Sequence, residues 1–208
     1  MKPDPHFDLA KAVQAFYDIA VVRRKTQSPQ RLAVLASACI AGLENRGLGD
    51  AEAEVTIPAG GRDKDWDVAW KWAGKYRMVI SLKSILRNLA GTVPNRIDDA
   101  MGETASIQLY SPEVVTGYVV LVDAQADSFS TKHGMTWVDV LRSKLAKLSG
   151  RRAPYWSPGT FEAYSVVTVD FTDGPTIQSG ADDFERMLDA LASETKVRNP
   201  GIEETQAS

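Results

Sequence analysis

Cysteine and histidine are scarce in this sequence, which has one cysteine and two histidines in 208 residues. A single cysteine excludes a disulfide within the chain. One cysteine and two histidines are also too few for a four-ligand zinc site, unless carboxylates supply the missing ligands. Cys39 lies in the apolar stretch LAVLASACIAGL, where a free cysteine packs as a small hydrophobic side chain. We therefore expect Cys39 to be buried.

Long hydrophobic runs and phosphate-binding glycine loops are also missing. No segment reaches the roughly 18 consecutive apolar residues of a membrane-spanning helix, and MKPDPHFDL lacks the pattern of a secretory signal. Neither G-x-x-x-x-G-K-[ST] nor G-x-G-x-x-G occurs, so nucleotide-driven and dinucleotide-dependent chemistry have no support. Together with the lack of disulfides, these absences predict a cytoplasmic protein with no membrane partner.

The formal net charge is −3, but the charges are segregated along the chain. Residues 62–87 hold seven Lys or Arg against three Asp, a local charge of +4, and residues 132–152 hold six against one, a local charge of +5. From residue 170 onward, nine acidic residues stand against three basic ones. The two basic segments fit a surface that contacts nucleic acid, although solvated faces of ordinary elements would give the same pattern.

Hydrophobic periodicity predicts an alternation of helices and strands. Apolar residues at helical spacing predict helices over 7–24, 28–47, 136–148 and 182–193. Apolar or alternating runs predict five strands, AEVTIP, DWDVAWKW, YRMVISLKS, VVTGYVVLVD and YSVVTVDF. After the third strand, a helix beginning at Ile85 should break or bend at Gly91 and Pro94, and a second helical stretch can restart at Asn95. The order predicts an α/β fold with a mixed β-sheet of about five strands flanked by helices, as one domain over 1–200 with a disordered tail at 201–208.

The second and third predicted strands place chemically useful side chains beside each other. Alternation puts Asp67 and Lys71 on one face of the second strand and the tryptophans at 66, 70 and 72 on the other, as core residues. On the third strand, Ser81 and Lys83 share a face. Because neighbouring strands lie about 4.8 Å apart, we expect Asp67 to converge with Ser81 and Lys83.

A carboxylate beside a lysine suits phosphodiester hydrolysis. A divalent cation held by carboxylates activates a water molecule, and a lysine can orient that water or stabilise the charge that builds on the phosphorus centre. Mg²⁺ binds one or two carboxylates and keeps several waters, so a site with few acids suits it. The strand pair therefore predicts a site for Mg²⁺, with Mn²⁺ as the alternative, that includes Asp67.

The sequence Asp67, thirteen residues, Ser81-Leu82-Lys83 resembles the Asp and (D/E)xK elements of the PD-(D/E)xK nucleases, over roughly residues 28–125. Serine stands at 81, where the family usually has an acid, as in the S-x-K variants among type II restriction endonucleases. The resemblance implies a Mg²⁺-dependent endonuclease of restriction or defence type that cuts double-stranded DNA. It also implies a homodimer, because symmetric cutting of a duplex needs two active sites.

The resemblance assigns roles to the three strand residues. Asp67 binds the metal, Lys83 positions the nucleophile, and Ser81 acts as a hydrogen-bonding residue in the vacated acid position. These three residues, together with Asp98 and Glu44, form the predicted catalytic set.

In the S-x-K variants, the second carboxylate comes from the following helix. At that distance beyond the lysine, Asp98 is the closest match for a catalytic metal ligand, and Asp99 is the next. Glu103 lies about one helical turn beyond Asp99 on a similar face. Glu44, near the end of the helix before the sheet, is a further candidate catalytic acid.

Candidate DNA contacts lie in the two basic segments. Arg151 and Arg152 belong to GRRAPYW, a basic and aromatic combination that suits phosphate or base contact, and Lys71 and Arg87 belong to the segment around the strand pair. Two other interpretations stay open. One is a catalytically inactive relative that binds nucleic acid or protein, suggested by the missing acid at 81, and the other is a structural α/β protein.

Overall fold

A computed structural model describes residues 6–25 and 28–202 as helices packed on both faces of a β-sheet. The α-helices are α1 Leu9–Tyr17, α2 Gln30–Glu44, α3 Leu89–Tyr110, α4 Trp137–Leu148 and α5 Ala181–Arg198. The strands are β1 Glu52–Ile57, β2 Lys64–Trp72, β3 Lys75–Ile85, β4 Val115–Asp123, β5 Phe129–Ser130, β6 Met135–Thr136, β7 Ala163–Asp170 and β8 Thr176–Ser179. The predicted α/β class with a mixed sheet is confirmed, with six strands in the main sheet.

The main sheet has the order β1-β2-β3-β4-β7-β8. The first three strands form an antiparallel meander, and β3, β4 and β7 are parallel neighbours. Parallel neighbours need long crossover connections, which contain α3 between β3 and β4 and α4 between β4 and β7. The central strand β4 is buried from Val115 to Val122, which explains its nearly continuous apolar sequence.

The two faces of the sheet carry separate hydrophobic cores. On one face, Met78, Ile80 and Leu82 of β3 pack with buried residues of α1, α2 and α5. Cys39 of α2 belongs to this core and is fully buried, as predicted. On the other face, Tyr118 and other side chains of β4 pack against α3 and α4.

The first predicted helix is divided in the structure. It was expected to run from 7 to about 24, but α1 ends at Tyr17 and a π-helical turn follows over Asp18–Val22. The backbone N–H of Arg23 bonds the carbonyl of Asp18 five residues earlier. The wider turn begins two residues after Phe16, the last buried residue of α1. Only residues 9–17 of the helix predicted over 7–24 therefore form a regular α-helix.

The helix after β3 begins later than predicted and is not broken. Ile85 still belongs to β3, and α3 runs without interruption for 22 residues with Pro94 inside it. Asn88 caps the start of α3, because its side-chain oxygen accepts the N–H of Gly91. Pro94 removes only one donor, the N–H that would bond the carbonyl of Ala90, and the packing of both flanking turns keeps the helix intact.

The C-terminal elements match the predictions with small extensions. α4 begins after its N-cap Thr136, as expected, whereas α5 is longer than predicted. Two residues of the predicted tail fall within the structure: Ile202 is buried in the first core, and Gly201 lies against the ring of Trp72. The remaining six residues of that tail lie outside the described part of the chain.

The longest helices are amphipathic rather than uniformly apolar. α5, for example, buries Phe184, Leu188 and Leu191 while carrying charged residues along its other positions. Within residues 6–25 and 28–202, no helix has both the length and the apolar character needed to cross a membrane.

Candidate active site

The strands β2 and β3 separate at Asp67. Their backbone pairing begins at Val68 opposite Ile80. One residue earlier, Oδ2 of Asp67 accepts a hydrogen bond from the backbone N–H of Leu82 at 2.7 Å. The carboxylate of Asp67 thus takes the place of a backbone acceptor where the two strands part, which fixes its orientation toward the end of β3.

The neighbouring strand β1 is irregular at the same level. Ala53 pairs with Val68 and Val55 with Trp66, while Glu54 between them adopts the left-handed backbone conformation with φ 54°. That conformation costs a non-glycine residue about 1–2 kcal/mol. The strands therefore depart from regular pleating around Asp67.

Because of this irregularity, the prediction that the tryptophans of β2 share one face was wrong. Trp70 packs with Val68 in the core beneath α2, but Trp66 joins Ala69 in a separate cluster with residues of β1 and α3. Trp66 and Trp70 are both buried, so their prediction as core residues is confirmed, but they lie on different faces. The regular alternation assumed for β2 does not hold across Asp67.

Ser81 and Lys83 meet a single carboxylate, that of Glu103 on α3. The hydroxyl of Ser81 donates to Oε2 of Glu103 at 2.9 Å. The Nζ atom of Lys83 lies 3.2 Å from Oε1 of the same residue, and Nζ of Lys64, at the start of β2, lies 2.6 Å from that oxygen. Two strands and one helix thus bring Asp67, Ser81, Lys83, Glu103 and Lys64 together; we call these five residues the carboxylate–lysine cluster.

The acid that meets Ser81 is therefore Glu103, and not Asp98 or Asp99 as predicted. Asp98 is exposed, and Asp99 pairs with Arg96 of its own helix at 2.5 Å. The physical reason is the start of α3. The prediction counted residues beyond Lys83, whereas the position that faces Ser81 depends on where α3 begins, at Leu89, and on how the helix packs against the sheet.

Burial and charge move the pKa values of the two carboxyl groups in opposite directions. Burial raises the pKa of Asp67 above its ordinary value, and the N–H of Leu82 and the ammonium of Lys83 only partly offset this. Burial acts in the same sense on Glu103, but the ammonium groups of Lys83 and Lys64 outweigh it and lower the pKa of Glu103. Two acids in one site with opposed pKa shifts are typical of acid and base pairs in enzymes.

The cluster fits a cation that needs few protein ligands. Asp67 uses only Oδ2 in its bond to Leu82, and Oδ1 makes no hydrogen bond to the described residues. Within those residues, no three His, Cys, Asp or Glu side chains are grouped closely enough to enclose a metal ion. Mg²⁺ commonly takes one or two carboxylates plus waters, so Asp67 and Glu103 are the two acids of the cluster that could hold it.

Glu44 makes no bond to the acids or to Lys83 of the carboxylate–lysine cluster. It is half-buried at the last position of α2, and no side-chain hydrogen bond or ion pair joins it to Asp67, Lys83 or Glu103. Its predicted role as a further catalytic acid stays a prediction.

Arg151 is buried, so it cannot contact a DNA phosphate as predicted. Its side chain is 1% exposed and its NH1 group lies 2.9 Å from Oε1 of Glu162, whose own side chain is 3% exposed. Arg198 of α5 pairs with the same carboxylate at 2.8 Å, and the ring of Trp156 covers both guanidinium groups. The burial of Glu162 requires these cations, because an unpaired buried carboxylate is costly.

The other predicted DNA contacts lie on the surface. Arg152 and Arg87 are exposed, and so is Lys71, whose ammonium lies 5.5 Å from the centre of the Tyr76 ring. Their exposure leaves them able to contact a phosphate backbone, and their role stays a prediction.

The sequence interpretation missed Lys64 and gave Glu103 too little weight. The signal for Glu103 was present, because it lies four residues after Asp99 on the same side of the helix. Lys64 had no comparable signal. It lies before the strand motif, and only the approach of α3 to β2 brings its ammonium to Glu103.

Comparison with known proteins leaves the geometry as the basis for assigning a function. The chain matches no protein-family model, no curated protein and no solved structure.

Proposed function

We propose that this chain is a Mg²⁺-dependent DNA endonuclease of restriction or defence type, with the carboxylate–lysine cluster as its active site. The observation that carries the proposal is the contact of Glu103 with both Ser81 and Lys83, beside the half-buried carboxylate of Asp67. A serine in the acid position thus has a compensating acid on the next helix, as the S-x-K resemblance implies. Mn²⁺ is the alternative ion.

The residues of the cluster other than Lys64 have the following roles in the proposed reaction. Asp67 and Glu103 hold the cation, which supplies charge stabilisation and an activated water when bound. Ser81 orients Glu103 through its hydrogen bond, and the backbone N–H of Leu82 orients Asp67. Lys83 positions the attacking water and stabilises the negative charge that develops on the phosphate.

Plasmid cleavage with and without Mg²⁺ tests this proposal. We expect Lys83→Ala and Glu103→Gln to lower the cleavage rate by at least about a hundredfold, because the first removes the cation beside the reacting phosphate and the second removes a charged ligand of the metal ion. Asp98→Asn is the matched control, since it removes an exposed acid of the same helix outside the cluster, and it should keep wild-type activity. Full activity in Lys83→Ala, with circular dichroism unchanged, would remove the assignment.

A second candidate function is an inactive relative that binds nucleic acid or a protein partner. It is favoured by the engagement of both Glu103 oxygens with Lys64, Lys83 and Ser81, which leaves the acid already neutralised. Calorimetric titration with Mn²⁺ separates the two candidates. The nuclease binds the ion and loses that binding in Asp67→Asn, whereas the inactive module binds duplex DNA with no metal and no cleavage.

We also propose that the enzyme acts on double-stranded DNA as a homodimer, because cutting both strands symmetrically requires two active sites. Sedimentation of the purified protein with a short duplex measures the mass of the complex. Two chains per duplex are expected, and one chain per duplex at saturating protein would contradict this part of the proposal.

A further inference from the structure

Lys64 occupies an unusual place in the carboxylate–lysine cluster. Its Nζ atom lies 2.6 Å from Oε1 of Glu103, closer than the 3.2 Å of Lys83 to the same oxygen. Both ammonium groups therefore share one carboxylate oxygen, and Glu103 has more cationic partners than a single carboxylate needs. A divalent cation that binds Glu103 would therefore compete with Lys64 for the same oxygen.

The charge balance of the cluster leads to the same competition. The cluster contains two carboxylates, Asp67 and Glu103, and two ammonium groups, so it carries no net charge when all four are ionised. A divalent cation bound between the carboxylates would bring two further positive charges within a few ångströms of both lysines. Because like charges at such distances in a partly buried site repel strongly, one ammonium has to move away from Glu103.

Lys64 is the lysine that can move. Its side chain is 26% exposed against 19% for Lys83, and it is the first residue of β2, next to the loop that connects β1 and β2. The backbone of Lys64 pairs with Ile57, the last residue of β1, whereas Lys83 lies within β3 and pairs with Val120 of the central strand. The long flexible stem of a lysine lets Lys64 swing toward solvent without disturbing the strand.

We propose that Lys64 is a displaceable internal counter-ion of the active site. It neutralises Glu103 while no metal is bound, competes with the divalent cation for Oε1, and leaves when the cation binds. Lys64 thus sets the metal affinity of the enzyme, a positioning role distinct from that of Lys83. This inference rests on the proposed metal site at Asp67 and Glu103.

Mn²⁺ binding to the full chain without DNA, measured by calorimetry, tests the inference. Lys64→Met keeps most of the stem but removes the competing charge, and we expect it to bind Mn²⁺ about fivefold more tightly than wild type, the factor that corresponds to a modest ion pair. Lys64→Arg restores a cation and should return the affinity to within about twofold of wild type. Lys75→Met, an exposed lysine at the far end of the same hairpin, is the matched control and should leave the affinity unchanged.

The outcomes separate this inference from the proposed function. If wild type binds Mn²⁺, loses it in Glu103→Gln, and Lys64→Met binds it equally or less tightly, the counter-ion role is overturned while the metal site stands. If neither wild type nor Lys64→Met binds Mn²⁺, the proposed metal site fails together with the inference. Tighter binding in Lys64→Met that Lys64→Arg reverses supports it, and thermal unfolding of each variant establishes that the fold is intact.

Discussion

At the scale of single residues, the carboxylate–lysine cluster contains an acid whose ionisation lowers the stability of the fold. Asp67 is half-buried at the end of β3, and its carboxylate accepts one hydrogen bond from a backbone N–H. Its raised pKa means that ionisation of Asp67 costs folding free energy at neutral pH, since the unfolded chain ionises at the ordinary value. Active-site residues often carry such a cost, because the charge is needed for chemistry rather than for folding.

We predict opposite effects of two neutral substitutions on the free energy of unfolding. Asp67→Asn keeps the bond to Leu82 and removes the cost of ionisation, so it should stabilise the protein at pH 7. The gain should shrink as the pH falls through the raised pKa of Asp67 and vanish below the ordinary aspartate pKa of about 3.9, where the wild-type carboxyl is protonated in both states. Urea denaturation across this pH range measures the difference.

Glu103→Gln is the counterpart with the other sign. Lys83 and Lys64 lower the pKa of Glu103, so its ionised form stabilises the fold above the ordinary glutamate pKa, and this stabilisation is lost as the pH falls through the lowered value. The substitution should therefore destabilise the protein at pH 7 and have little effect in acid. Destabilisation by Asp67→Asn at pH 7 would contradict the account of the site's electrostatics.

At the scale of elements, α3 determines which acid enters the site. The helix begins at Leu89 because Asn88 adopts the left-handed conformation with φ 51° and caps Gly91. From that start, an unbroken helix carries Glu103 to the ends of β2 and β3. The cap, fifteen residues away from Glu103 in sequence, thus fixes the helical turn that faces Ser81.

We predict that Asn88 stabilises the start of α3 mainly because it tolerates the left-handed backbone conformation, with a smaller contribution from its side-chain cap. Asn88→Ala loses the capping bond and places a Cβ-bearing residue without a polar side chain in the left-handed region, which should cost about 1–2 kcal/mol of unfolding free energy. Asn88→Gly is the matched control, because glycine tolerates that backbone conformation, and it should cost only a few tenths of a kcal/mol. Equal losses in both variants, measured by denaturation, would mean that the backbone conformation contributes nothing.

At the scale of the whole molecule, the basic segments divide into buried and exposed charges. The segment over 132–152 is basic in sequence, yet Arg151 within it neutralises Glu162 beneath the Trp156 ring, while the neighbouring Arg152 is exposed. A count of charges along the chain does not distinguish these two arginines. Only the exposed residues can release counterions from a DNA backbone.

We predict a separation of binding and stability between the two arginines. Arg152→Ala should weaken duplex binding and reduce the slope of log affinity against log salt by about one, with little change in stability. Arg151→Ala should leave that slope unchanged and lower the free energy of unfolding by about 3 kcal/mol, because it removes one cation from a buried carboxylate. Fluorescence anisotropy of a labelled duplex and urea denaturation measure the two effects; an unchanged slope in Arg152→Ala would remove that residue from the interface.

Much of the architecture could be predicted from the sequence. The order of elements, the central buried strand β4 and the start of α4 near Thr136 all follow from local periodicity and turn residues. The short strands β5, β6 and β8 could not be predicted, because two to four residues carry too little pattern. The roles of the cluster in metal binding and cleavage stay predictions.

What the sequence by itself determined was local: which segments alternate, which are continuously apolar, and that an aspartate, a serine and a lysine lie on adjoining strands. The tertiary structure decided which acid completes the site, that Lys64 shares it, and that Arg151 is buried. These outcomes depend on where a helix starts and on which elements pack across the sheet. Such contacts join residues far apart in the chain, so no local periodicity encodes them.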